Sequence, residues 1–316
     1  MESVIANNAK LSRSSHLMSE QQKQRLLFVV NPFAGIGQKK NFQSLLEANL
    51  DKSKFNFHVE YTTHPGHARE LAATAINDQY DVVVAVGGDG SVNEIASALI
   101  DTNVKLGIIP AGSGNGFAGF LGYTRNIAQS IRDLNTAQAI KIDTCQLNDK
   151  PYVNVAGVGF DAWVAHKTKR NKFRGFFGYA KTAIQESLRY KIQNFTIRLD
   201  GKTIERSALC IEVANATMFG YNMKIAPLAK LDDGLLDVVI IKKAVKLRYF
   251  PSMVRFPLGN IHKSSLVEYH TAREVEIIPH GECAYHMDGE GFLSSHSLKF
   301  SIKPLSLTVL KPQVFK

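Results

Sequence analysis

Three acidic clusters in this chain sit beside glycine: Asp89 in Gly87-Gly88-Asp89-Gly90, Asp232 and Asp233 in the run Lys230–Val238, and Asp288 with Glu290 in HMDGEGF, 286–292. Carboxylates on flexible backbone can hold a hard cation through oxygen ligands or take a proton from a hydroxyl. Asp89 has the most informative surroundings. The apolar run Tyr80–Val86 before it reads as a buried strand. After it, Ser91-x-x-Glu94 has the form of a capping box, and Val92, Ile95, Ala96 and Leu99 make one helical face. Gly87, Gly88 and Gly90 therefore fall where a strand hands over to a helix N-terminus, whose unpaired N–H groups and dipole favour an anion. An aspartate in such a place needs a cation or a proton beside it. The other two clusters are also ordinary turn sequences: Asp288-Gly289 suits a hairpin, and the Asp232–Gly234 turn leads into a strand. The acids and carbonyls of the latter equally suit Mg²⁺.

The elements that must position these groups change character along the chain. Strands expected over 25–31, 55–63, 80–86 and 104–110 alternate with helices around 39–50, 67–77 and 91–99, which predicts a parallel sheet covered by helices. Gly-rich loops follow three of the strands: NPFAGIG (31–37), GGDG (87–90) and PAGSGNG (110–116). Loops after parallel strands gather at the carboxyl edge, where ligands bind. Gly114-x-Gly116-x-x-Gly119 matches a dinucleotide pattern literally but lacks the acid expected after the next strand, and no Walker-type sequence occurs. Beyond about residue 143 the runs PYVNVAGVGF, FTIRLDGKTIE, ALCIEVANA, LLDVVIIKK, EVEIIP and SLKFSIKP predict a mostly antiparallel β domain, with one helical stretch near 180–190. The expected division is a loose tail over 1–24, an α/β domain over 25–143 and a β-rich domain over 144–304. A last strand near 305–310 is expected to return to the first domain.

Composition narrows the class. The 316 residues carry 38 Lys and Arg against 28 Asp and Glu, a net charge of +10, which favours an acidic partner such as nucleic acid, anionic lipid or polyphosphate. Cys145, Cys210 and Cys283 are scattered and form no C-x-x-C pair, which argues against a disulfide framework or zinc ribbon. No apolar run approaches membrane-span length and no signal-peptide core opens the chain, so a soluble, cytoplasmic protein is expected. His64 and His67 lack a third ligand at recognisable spacing and read as surface or packing residues. There is no G-x-S-x-G sequence and no catalytic-cysteine context, so hydrolase readings find little support.

The ordered set VVNPFAGIG, VVAVGGDGSVNEIASAL, GIIPAGSGNGFA, DDGLLD and DGE resembles the diacylglycerol kinase catalytic-domain family, which includes soluble bacterial lipid kinases and the sphingosine and ceramide kinases. The resemblance runs from Arg25 to Lys311, and GGDG alone is shared with NAD kinases. It implies an α/β domain with a parallel sheet, a mostly antiparallel β-sandwich domain, and ATP in the cleft between them. It further implies that Asn31, Pro32, Phe33, Ala34 and Gly35 form a first nucleotide loop, that Thr62 or Thr63 adds a contact, and that Gly87, Gly88, Asp89, Gly90, Ser91, Val92, Asn93 and Glu94 form the central phosphate loop, with Ser113 in the third. Asp89 would lie near Mg²⁺ and the transferred phosphoryl group. Lys230 and Leu235 would offer carbonyls, and Asp233 a carboxylate, to a structural Mg²⁺. Glu290 resembles the general base, with Asp288 beside it; Asp89 remains the other candidate for that role. Ala34 departs from the pattern, which often has Ser there, and removes a hydroxyl from the phosphate loop.

The acceptor side is less defined. Between Trp163 and Lys191 lie Lys167, Lys169, Arg170, Lys172, Arg174, Lys181, Arg189 and Lys191, interleaved with Phe173, Phe176, Phe177 and Tyr179. Lys242, Lys243, Lys246 and Arg248 form a second basic group. Either stretch is a solvated face or a peripheral contact with anionic membrane. Nucleic acid is not expected, because no RNA- or DNA-binding signature accompanies them. By resemblance to sphingosine kinases, Asp161 would read the lipid acceptor; burial as a strand-end acid is the other reading. The expected activity is ATP- and Mg²⁺-dependent phosphorylation of diacylglycerol or a related long-chain lipid, with homodimerisation open. The alternatives are an NAD kinase-like enzyme and a non-catalytic nucleotide- or lipid-binding regulator.

Overall fold

A computed structural model describes residues 23–35, 41–168, 176–220, 223–245 and 248–313. The basic residues Lys169, Arg170, Lys172, Arg174 and Lys246 lie outside them, as do Phe173 and most of the tail.

The first half is a parallel sheet in the order β2 (Phe55–Tyr61), β1 (Gln24–Val30), β3 (Val82–Gly87), β4 (Lys105–Pro110). Every residue of β3 is buried, as its uninterrupted Val/Ala run demands of a strand covered on both faces. Helix α1 (Phe42–Asn49) covers one face through Phe42 and Leu46. On the other, α2 (His67–Asn77) and α3 (Asp89–Leu99) pack through Ala72, Ala75, Ile95 and Leu99. Two short helices, α4 (Gly116–Leu121) and α5 (Ile127–Leu134), complete this half, and neither stood out in the sequence. The capping box does not form. α3 begins two residues early, at Asp89, with Gly88 as N-cap and no side-chain cap.

From β5 (Gln138–Leu147) onward the sheet is antiparallel, a β-sandwich built from β6 (Lys150–Tyr152), β7 (Val155–Gly159), β8 (Gln193–Leu199), β9 (Lys202–Ala214), β10 (Leu236–Lys242), β11 (Val267–Ala272), β12 (Glu274–Pro279), β13 (Cys283–Met287), β14 (Glu290–Ser294) and β15 (Leu298–Lys311). Its core is Phe195, Ile197, Ile211, Val213, Val238, Ile277 and Phe300 with their neighbours. The helical stretch expected near 180–190 is α7 (Phe176–Ser187), and α6 (Phe160–Thr168) precedes it, packed on β13 and β14. A short α8 (Tyr249–Met253) follows β10. Strand β15 pairs antiparallel with β12 and β5, then reaches β4 in parallel at Val309 and Leu106. Among the described residues no helix is long and apolar enough to cross a membrane.

Candidate active site

The three glycine loops touch one another through backbone. Gly35 has a φ of +70°, and a Cβ there would lie 2.1 Å from the Ala111 carbonyl oxygen, so the first loop rests directly on the third. A Cβ on Gly112 would lie 2.4 Å from the Gly88 Cα, which joins the third loop to the second. Only residues without side chains allow three loops to meet this way, and the result is a surface of peptide groups at the carboxyl edge of the sheet. Side chains lock it. Asn31 donates to Ser91 Oγ (3.2 Å), Asn115 receives the Gly112 N–H (3.0 Å), and the Glu94 carboxylate receives the Gly66 N–H (3.1 Å). Thr62 is buried, its N–H on the Val30 carbonyl. The buried Asn93 Oδ1 has no partner in the structure. Arg125, which the sequence reading passed over, donates to the carbonyls of Ser113 and Gly114 and backs the third loop with a cation.

Asp89 answers the question raised by its sequence in part. Its carboxylate receives the Phe117 N–H (3.2 Å) at the start of α4, so backbone amides of the third loop supply some compensation. Burial nevertheless pushes its pKa up. Asp288 lies close enough to feel that charge: burial first, and Asp89 in addition, carry it up to about 7. Three amides, those of Val153, Asn154 and Val155, donate to Asp288 at 3.1 to 3.3 Å. Two neighbouring half-buried carboxylates are costly without a proton or cation between them, and this donor set fits a divalent ion. The Asp288-Gly289 turn has φ values of +47° and +84°, as a two-residue hairpin requires. Glu290 is exposed at the first residue of β14, just beyond that turn.

The Lys230–Leu235 turn stands apart from this pair. Asp233 receives the Leu235 N–H (3.2 Å), and Asp143, buried and missed as a site residue, fastens the turn by accepting from Gly234 (2.7 Å) and from Leu305 (2.7 Å). Beneath it the pKa of Asp237 rises to about 6 through burial, with Asp233 contributing. Asp233 is the exposed carboxylate of the turn that the expected structural cation would use.

Two further groups acquire partners that the sequence left unseen. Glu70 joins His64 and His67 in one group at the surface, the third member that spacing did not reveal; His67, half-buried, receives the Thr63 N–H at Nδ1 (3.1 Å). Asp161, in the first turn of α6, is half-buried, which leans to the second of its two readings, and it is not alone. It meets His286 Nε2 at 2.8 Å, and the same nitrogen meets Glu212 at 2.9 Å. Burial pushes Asp161 up but the His286 imidazolium more than offsets it, holding the carboxyl below its usual range, while His286 itself is driven well up by the two acids.

Residues 25–147 match the model of the diacylglycerol kinase catalytic domain, and residues 154–311 match that of the YegS C-terminal NAD kinase β-sandwich-like domain. The chain belongs to the diacylglycerol kinase family. A diacylglycerol kinase of Staphylococcus aureus is 26% identical over 272 residues, covering 85% of this chain and 86% of its own. An uncharacterised protein of Synechocystis is 29% identical over 237 residues, 70% of this chain but 54% of the longer relative. A crystal structure of a putative diacylglycerol kinase from Bacillus anthracis superposes with a TM-score of 0.72 over 92% of this chain and 98% of its own at 22% identity, which is a likeness of fold. Family membership makes this protein a kinase.

Proposed function

We propose that this kinase transfers the γ-phosphate of ATP to the hydroxyl of diacylglycerol or a related long-chain lipid at a membrane surface. The observation that carries the reading is the meeting of the glycine loops with two neighbouring half-buried carboxylates, Asp89 and Asp288, one from each half of the chain. Residues 25–143, with the returning 305–310 segment, would bind nucleotide, and 144–304 the lipid. Loop amides and Arg125 would cradle the phosphates. Mg²⁺ held by Asp89 and Asp288 would neutralise charge on the phosphate oxygens, and a second Mg²⁺ on Asp233 and the Lys230 and Leu235 carbonyls would stiffen the turn. In the transfer the lipid oxygen forms its bond to the γ-phosphorus as the bond to the β-bridging oxygen breaks, and ADP leaves. Glu290, exposed just beyond the Asp288-Gly289 turn, takes the hydroxyl proton.

Membrane contact is supported by α7 and the residues after it. Ile184 and Leu188, one turn apart, are 70% and 74% exposed, with Lys181, Arg189 and Lys191 exposed around them. Lys167 lies over the Trp163 ring at 4.3 Å on the adjacent α6. The test is transfer of labelled γ-phosphate to diacylglycerol, monoacylglycerol, sphingosine, ceramide and phosphatidylglycerol in mixed micelles, with NAD as a soluble control. Phosphorylation of one lipid, lost in Glu290→Ala, is expected; labelled NAD or no transfer at all would overturn the reading.

A further inference from the structure

The sequence places His286 two residues before Asp288, and the sheet explains why a histidine is there. Strands β13, β7 and β9 align His286, Gly157 and Glu212 in one cross-strand row. Two strand spacings separate the outer members, about 10 Å of backbone. Their side chains meet over the middle strand because Gly157 has none; a Cβ there would lie 2.3 Å from Glu212 Oε2. Asp161, in the first turn of α6, closes on the same imidazole nitrogen. On the other side of His286 its hairpin partner is Gly291, where a Cβ would lie 2.3 Å from the His166 amide nitrogen, so α6 lies directly on the hairpin. Glu212 is fully buried and His286 nearly so. A buried three-residue charge cluster of this kind is weak evidence for stability, because the desolvation cost offsets much of the attraction. What it does fix is geometry.

We propose that His286 is a positioning residue, seating the β13–β14 hairpin against α6 and β9 so that Asp288 and Glu290 stand at the right distance from Asp89. The inference rests on the kinase reading. Its test compares the full-length chain with His286→Gln, Glu212→Gln, their double variant and Gly157→Ala, measuring kcat, ATP KM, thermal midpoint and metal content. His286→Gln should lower kcat on the order of 10²-fold with ATP KM within about twofold. The double variant should be no slower than His286→Gln alone, as for residues acting as one unit. Gly157→Ala, which removes no polar group, should reproduce the loss by displacing Glu212 and the Ile211 carbonyl beside it, and the isosteric Glu212→Gln, with the same loss expected, carries the test if His286→Gln does not fold. Unchanged kcat per folded molecule with only a lower thermal midpoint would overturn the proposal. So would additive losses, or a co-purifying transition metal on Asp161, Cys210 and Glu212 that Glu212→Gln releases. No transfer by the unaltered chain would remove the kinase reading itself, and this proposal with it.

Discussion

Asp288 is a turn aspartate that behaves unlike one, since burial and its neighbour Asp89 hold its pKa up to about 7. A carboxyl whose folded pKa lies above its unfolded value of about 3.9 favours folding below that value, and the contribution is lost as pH climbs through the folded pKa. The thermal midpoint should therefore fall between about pH 4 and pH 7. Asp288→Asn should flatten that fall, and Mg²⁺ should raise the midpoint more at about pH 8 than at about pH 5.5; midpoints by differential scanning fluorimetry check both. Glu290→Ala should lower kcat by about 10² to 10⁴-fold, the usual range for a lost general base, while ATP affinity by titration calorimetry stays within about twofold. Ala34→Ser restores a hydroxyl to the first loop. A net hydrogen bond of about 1 kcal/mol would tighten ATP roughly fivefold.

At the scale of elements the glycines carry the argument. Gly112→Ala has no room beside Gly88, so the second and third loops must part. ATP binding should be lost while far-ultraviolet circular dichroism stays close to that of the unaltered chain. Much of this architecture was legible. The β3 run is apolar throughout and bounded by glycine, and α2 falls over its expected residues, because both obey a simple periodicity. Other elements hid for physical reasons. α4 opens on glycine and runs for six residues, too short for a pattern to register, and α6 lies in a stretch whose lysines read as surface. The capping box failed because Asn31 and Gly66, far away in sequence, claim the side chains of Ser91 and Glu94. The role of His286 was invisible for a related reason: its partners are Asp161 and Glu212, and only strand register brings the three together.

Over the whole molecule, the +10 charge and the exposed pair at the end of α7 and just beyond it make separable predictions. Ile184→Gln with Leu188→Gln should weaken sedimentation with anionic vesicles roughly tenfold or more, given the transfer energy of two aliphatic side chains. Binding by the unaltered chain should fall steeply as salt shortens the Debye length from about 30 Å at 0.01 M to about 8 Å at 0.15 M. Strand β15 has a consequence of another kind. It supplies an edge partner to β4 in the nucleotide half and to β5 and β12 in the other. As the chain emerges from the ribosome, β4 therefore waits with one side unpaired until residues 298–311 have been made. Neither half can be completed ahead of the other, and a nascent chain halted before β15 exposes strand edges of the kind chaperones bind and aggregates recruit.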